Sequence, residues 1–167
     1  MRFRQERTYN HPVESIANLF MEGDEPVYDM DSLENVTQWK VIKEEDKGDK
    51  RVGIKEWCAH AQIPKALQHI ISPKMLTWYE HSEWDRKTRH YRFRIEPFYL
   101  KKSVKCQGQT IYKENGANQC VRVFEISLTV DIPIFGPMFE KVVLEILKKN
   151  EEQDFRLTTN IAQKHLS

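Results

Sequence analysis

The chain lacks a long apolar run, an excess of either charge and a cysteine framework, and each absence excludes a class of protein. No apolar segment approaches the roughly 20 residues that a membrane helix needs. The 26 Lys and Arg residues against 25 Asp and Glu residues give a net charge of +1, which argues against a general nucleic-acid binder. The three cysteines, Cys58, Cys106 and Cys120, are widely spaced and are expected to be reduced thiols of an intracellular protein.

Signals for export, metal binding and phosphate binding are lacking as well. Residues 1–10 alternate charged with aromatic side chains and contain no apolar signal core, so we expect a cytoplasmic protein. His60 lies two residues after Cys58, and neither His81 nor His90 has a second ligand at the spacing of a tetrahedral site. We therefore expect no metal site. Glycine is scarce and no glycine-rich phosphate loop is present, so we expect neither nucleotide chemistry nor a cofactor.

The chain contains enough apolar residues to form one hydrophobic core. Its 167 residues are 40% hydrophobic and 31% charged, which is too apolar for a disordered chain and too polar for a membrane protein. This length fits a single domain over residues 1–167, which can form a core without disulfides or a structural metal.

The spacing of apolar residues predicts a strand, then helices, then strands. Residues 2–9 alternate and predict a strand, whereas the apolar residues of 13–20 recur at helical spacing and predict a helix that Gly23 ends. A second short helix is expected after Pro26. From Trp39 onward a period of two predicts six more strands in three hairpins. Their turns are expected in the charged run 43–51, at 85–87 and at Asn115-Gly116.

Two later segments return to helical spacing. Residues 63–71 predict a short amphipathic helix, and residues from about 136 to 165 predict a helix about 45 Å long. On the long helix Asn150 falls inside an apolar stripe and Asp154 at its edge. Such polar groups either bond to the sheet or meet the polar end of a ligand or water in a cavity.

These elements predict an α+β fold in which a curved antiparallel sheet of about seven strands wraps around the long C-terminal helix. One face of the sheet is polar, so the other must be buried. A sheet wrapped on one helix is hard to fill completely, and a cavity between the two is expected. The residues predicted to line this cavity are Trp78, Phe93, Ile95, Phe124, Ile126, Val143, Ile146 and Asn150.

Four segments form a pattern found in other proteins: HPVESIANLF at 11–20, Ile63-Pro64-x-x-Leu67, the EHS-x-WD segment at 80–85, and VDIPIFGPMFEKVV at 130–143. They resemble the START-like superfamily, which has the helix-grip fold and includes polyketide cyclases. The resemblance spans essentially the whole chain, and it is strongest to an uncharacterised bacterial branch of polyketide-cyclase-like proteins. It implies the helix-grip fold and a cavity for a hydrophobic molecule.

A second pattern consists of the HPVE start, Trp57 followed by Pro64, and EHS at 80–82 with Asp85. In these residues the chain is similar to the PRELI-type phospholipid carriers of mitochondria. It implies phospholipid transport, with the mitochondrial intermembrane space as an alternative location. The segment 21–26 is acidic here, whereas the carriers have a basic one, so their anionic ligand does not carry over.

The leading functional hypothesis is binding, and also transfer, of a lipid or another hydrophobic small molecule in the cavity, where burial of apolar area supplies the affinity. The short helix is expected to act as a lid whose inner face consists of Ile63, Leu67, Ile70 and Ile71. Lys65 in this helix and Lys74 after it predict a transient contact with a membrane surface.

Two other hypotheses belong to different classes. The first is a cyclase-like or hydrolase-like enzyme in which Tyr79 and His81, which share one face of a strand, transfer protons in the pocket. It predicts that both side chains point into the cavity. The second is a protein-interaction module, which predicts a solid interior.

Overall fold

The structure is a computed structural model that describes residues 1–23, 36–59, 65, 72 and 76–166. The elements in chain order are β1 (Arg2–Tyr9), α1 (Val13–Met21), β2 (Val36–Asp46), β3 (Lys50–Ala59), β4 (Thr77–Asp85), β5 (His90–Pro97), β6 (Val104–Glu114), β7 (Cys120–Val130) and α2 (Gly136–Leu166). This order confirms the first strand, the first helix, the three hairpins and the terminal helix. The helices predicted after Pro26 and over 63–71 lie outside the described residues.

The described strands form one seven-stranded antiparallel sheet in the order β1-β7-β6-β5-β4-β3-β2. The hairpins add strands one after another from β2 to β7, and β1 then pairs with β7. The β6–β7 turn contains the Asn-Gly pair, and Gly116 has a φ of +82°. This left-handed conformation is open to glycine at little cost, which is why Asn-Gly predicts the turn.

α1 fills the end of the sheet near the β4–β5 turn. Its apolar residues Val13 and Ile16 are buried in a cluster with Tyr9, Trp84 and Tyr112, which come from three different strands. Their spacing within α1 places them on one side of the helix. This end of the molecule is therefore a closed apolar core.

α2 lies over β1 and β7, to which its polar side chains are bonded. Glu140 accepts a hydrogen bond from the backbone N–H of Val130 at 2.9 Å, and the Tyr9 and Thr158 hydroxyls are 2.7 Å apart. We call the side of the sheet that carries Tyr9 the inner face and the opposite side the outer face. The helix thus covers the inner face near one edge of the sheet, and β3, β4 and β5 lie beyond it in the strand order.

Candidate functional site

The strand register places the five sheet residues of the predicted cavity on the inner face. Residues directly opposite each other in neighbouring strands share a face. Phe124 is opposite Gln5 of β1, which has the same parity as Tyr9, and it is opposite Thr110 of β6. The register continues across β5 and β4 in the same way and assigns Trp78, Phe93, Ile95, Phe124 and Ile126 to the inner face. Ile126 is buried, and the other four are half-buried.

An aromatic stack forms the floor of this face. The Phe93 and Phe124 rings are nearly parallel at 11°, with centroids 6.2 Å apart, and Phe3 meets Phe124 edge-on at 6.2 Å. Gly108 lies beneath Phe93, and a Cβ at this position would overlap both the Phe93 ring and the backbone oxygen of Glu125. The stack therefore requires glycine at position 108.

Polar side chains lie on the same face beside the stack. The Tyr91 hydroxyl donates a 2.5 Å hydrogen bond to Oε1 of Glu80. Burial raises the pKa of the Glu80 carboxyl, and burial also raises the pKa of Tyr91 well above its ordinary value. Lys55 is directly opposite Glu80 in the β3–β4 register. Burial raises the pKa of the nearby Cys106 thiol to about 11, so this cysteine is not a nucleophile at neutral pH.

Three tryptophans form a row across β2, β3 and β4, two residues along the strands from Lys55 and Glu80. Trp39 is opposite Trp57, and Trp57 is opposite Trp78. The Trp39 and Trp57 rings stack with centroids 6.0 Å apart. The Nε1 atoms of Trp57 and Trp78 are buried, and neither has a hydrogen-bond acceptor among the residues that the structure describes. A buried donor without an acceptor costs about 1–3 kcal/mol.

The predicted helix residues form one flank of α2. Val143, Ile146 and Asn150 are half-buried, while Glu151 and Thr158 on the neighbouring strip are buried against the sheet. One residue advances an α-helix by about 100°, so Asn150 lies about 100° around the helix from Glu151. The remaining side of the helix is exposed. The apolar flank therefore lies beside the strip of α2 that is bonded to the sheet.

An ion-pair cluster anchors α2, and the sequence analysis did not identify it. Glu151 accepts hydrogen bonds from Nη2 of Arg7 at 2.8 Å and from Nη2 of Arg122 at 3.2 Å. Arg122 also donates to Asp154 at 2.5 Å, so the edge position of Asp154 has a structural explanation. Glu151 and Arg122 are both buried. One feature of the sequence could have pointed to this cluster: Arg122 is the charged residue among the otherwise apolar even-numbered positions of β7.

The proton-transfer pair of the enzyme hypothesis does not point into the cavity. Tyr79 and His81 share a face, as expected, but it is the outer face, since both alternate with Trp78 and Glu80 along β4. Nε2 of His81 lies 2.9 Å from Oε2 of Glu96, and the Tyr79 ring packs on Phe98 at 4.7 Å. The prediction that both face the cavity between the sheet and α2 is wrong, because the odd-numbered positions of β4 face away from α2; His81 instead lines a groove on the outer face.

The outer face carries an open groove of about 490 Å³ between β2 and β5. Its lining includes four basic side chains and two acidic ones, and one of the basic groups, Arg92, lies 3.5 Å from Glu83. Within the described ranges no three His, Cys, Asp or Glu residues are grouped so that they could hold a metal ion. No helix in the same ranges has the length and apolar content needed to cross a membrane.

The fold is shared with several solved structures, one of which is a START superfamily protein. The chain superposes on TTHA0849 from Thermus thermophilus with a TM-score of 0.71 and 21% identity, over 100% of both chains. It superposes on the ZhuI aromatase/cyclase from Streptomyces sp. R1128 with a TM-score of 0.69 and 13% identity, over 100% of this chain and 96% of that one. For a START superfamily protein from Mycobacterium smegmatis the values are 0.59 and 10%, over 97% of both chains.

At these identities the likeness is one of fold, and it confirms the predicted helix-grip architecture. A comparison with curated proteins gives no match. A family model described as "Protein of unknown function (DUF2505)" matches residues 4–160, which is nearly the whole chain. The chain therefore belongs to the DUF2505 family.

Proposed function

We propose that the protein binds a hydrophobic small molecule between the inner face of the sheet and the apolar flank of α2. The observation that carries this proposal is the partial exposure of Trp78, Phe93, Ile95 and Phe124 on the inner face, the side of the sheet to which α2 is bonded near one edge. Large apolar side chains in a filled core lose nearly all their accessible surface. Apolar side chains on the inner face that keep part of their accessible surface therefore line a cavity.

The position of α2 supports the same conclusion. Its buried strip is bonded to β1 and β7 at one edge of the sheet. The half-buried flank with Val143 and Ile146 is thereby left to form a wall. An apolar floor, an apolar wall and a few polar groups are the ordinary composition of a small-molecule pocket. One structural relative is the ZhuI aromatase/cyclase, and an enzyme on this fold supports a small-molecule pocket here.

A cavity-filling substitution tests the proposal. Ile146→Trp adds a large ring to the flank of α2. In a lined cavity the ring occupies free space, so the melting temperature stays within a few degrees while binding of the neutral fluorescent probe N-phenyl-1-naphthylamine is lost. In a filled core, as the protein-interaction hypothesis requires, the added volume costs about 1–3 kcal/mol of stability.

The matched control is Glu145→Trp, which adds the same ring at the adjacent, exposed position. It should leave both probe affinity and melting temperature unchanged. Native mass spectrometry of freshly purified protein would then identify a co-purified ligand. Failure of the wild-type protein to bind the probe, together with a destabilised Ile146→Trp, would reject the proposal.

Transfer of the ligand requires a way in, and this is part of the proposal. Ile63, Leu67, Ile70 and Ile71 of the suggested lid lie outside the described residues, as does Lys74, whereas Lys65 is exposed. Membrane contact through these lysines would make flotation with acidic liposomes stronger than with neutral ones. A cross-link from the lid segment to the sheet would slow ligand uptake without lowering the melting temperature.

A further inference from the structure

The inner face carries a cluster of side chains with polar groups, and burial of an apolar ligand does not explain why those groups are there. It consists of Lys55, Trp57, Trp78 and Glu80 on β3 and β4, and the register makes two directly opposed pairs of them. We call these four residues the polar subsite. The two pairs are neighbours on the inner face, since positions 55 and 57 of β3, like positions 78 and 80 of β4, are two residues apart and therefore point to the same side.

The subsite has more hydrogen-bond donors than acceptors. Trp57 and Trp78 each hold a buried indole N–H that meets no acceptor in the described part of the chain. Lys55 contributes an ammonium group, whose charge acts on the Glu80 carboxyl directly opposite it. Against these donors stands the single carboxyl of Glu80, one of whose oxygens already accepts a hydrogen bond from Tyr91. A ligand that brings oxygen acceptors would satisfy donors that the protein leaves unsatisfied.

We infer that the polar subsite takes the carboxylate of an otherwise apolar acid, whose hydrocarbon part lies over the Phe93 and Phe124 stack. This inference rests on the proposed function and names the chemical class of its ligand. A carboxylate accepts hydrogen bonds at two oxygens with about four lone-pair sites, which matches two indole N–H groups and one ammonium group. An alcohol of the same length offers only one oxygen.

The carboxyl of Glu80 is compatible with an anionic ligand. Burial raises the pKa of Glu80, although Lys55 and the hydrogen bond from Tyr91 act in the opposite direction. A raised pKa favours the uncharged form, and an uncharged carboxyl has an O–H that can donate to the ligand. The ligand carboxylate would then meet Lys55 without a competing negative charge.

Two ligands of equal chain length separate recognition of the polar end from burial of the chain. Decanoate and 1-decanol are titrated against protein that carries N-phenyl-1-naphthylamine, and displacement of the probe gives both affinities. We expect decanoate to bind at least about tenfold more tightly than decanol, the usual effect of a charge-assisted hydrogen bond.

Three single variants assign the effect to the subsite. Trp57→Phe and Trp78→Phe remove the N–H and keep an aromatic ring, and Lys55→Met removes the charge and keeps the aliphatic stem. We expect Lys55→Met, and at least one tryptophan variant, to weaken decanoate binding about tenfold. Decanol binding should change by less than about twofold. Trp39→Phe is the control, because Trp39 belongs to the same row and its nitrogen is not a buried donor without an acceptor.

The outcomes separate this inference from the proposed function. If the probe binds and both ligands displace it equally, or if the variants weaken both ligands alike, the hydrophobic pocket stands and the carboxylate subsite is refuted. If neither the probe nor either ligand binds the wild-type protein, the proposed function fails and this inference fails with it.

Discussion

Replacing Glu151 with glutamine should destabilise the protein far more than the same change one residue later. Glu151 is only 7% exposed and accepts hydrogen bonds from Arg7 and Arg122. Glutamine keeps the size of the side chain and removes its charge. Arg122, which is buried as well, would then be left with Asp154 as its acidic partner in the described structure.

The expected cost follows from this geometry. Removing one partner of a buried ion pair typically costs about 3–5 kcal/mol, because the other charge stays buried without compensation. Asp154 still compensates part of the Arg122 charge, so the lower end of the range, about 3 kcal/mol, is expected. For a chain of this size that corresponds to a fall in melting temperature of about 6–12 °C. Urea unfolding followed by circular dichroism measures the free energy directly.

The control is Glu152→Gln. Glu152 pairs with Arg156 on the exposed side of α2 at 2.5 Å, and exposed pairs of this kind contribute less than about 1 kcal/mol. If the free energy of unfolding of Glu151→Gln lies within about 0.5 kcal/mol of the wild-type value, the cluster does not anchor α2. The apolar flank is then not held beside the sheet in the way that the proposed pocket requires.

Three further predictions concern single groups. Gly108→Ala should lower stability by about 1–3 kcal/mol in urea unfolding and displace the Phe93 ring in NMR spectra; an unchanged ring position would contradict the packing described. The Arg86 guanidinium holds the pKa of Asp46 at about 2, so the stability from this pair is complete above the ordinary carboxyl pKa of 3.8 and is lost as pH falls through about 2. In Arg86→Gln, NMR titration should return the Asp46 pKa toward 3.8. Burial raises the pKa of Glu80, so its ionisation opposes folding as pH rises, and Glu80→Gln should raise the melting temperature more at about pH 8 than at about pH 5. Equal shifts at the two pH values would refute this.

The sequence by itself determined the elements, their order and the composition of each strand face. β1 was predicted at its observed bounds and α2 at nearly its own, and the three hairpins were predicted in the right places with shorter strands than they have. This worked because a period of two, a period of 3.6 and the Asn-Gly turn are local properties of the chain. The same local rule put Trp78 on one face of β4 and Tyr79 with His81 on the other. It also grouped Phe93 with Ile95 on β5.

The tertiary structure alone decided which faces are inward and how α2 is attached. Alternation divides the side chains of a strand between two faces but does not say which face is inward. The enzyme hypothesis therefore placed Tyr79 and His81 of β4 on the wrong side of the sheet. Hydropathy likewise assigned the apolar stripe with Val143 and Ile146 to the interior and overlooked the strip with Glu151. Glu151 is buried because Arg7 and Arg122 arrive from β1 and β7 to neutralise it. A charge becomes an interior residue only when its partners come from elsewhere in the chain, and this pairing is a property of the folded state.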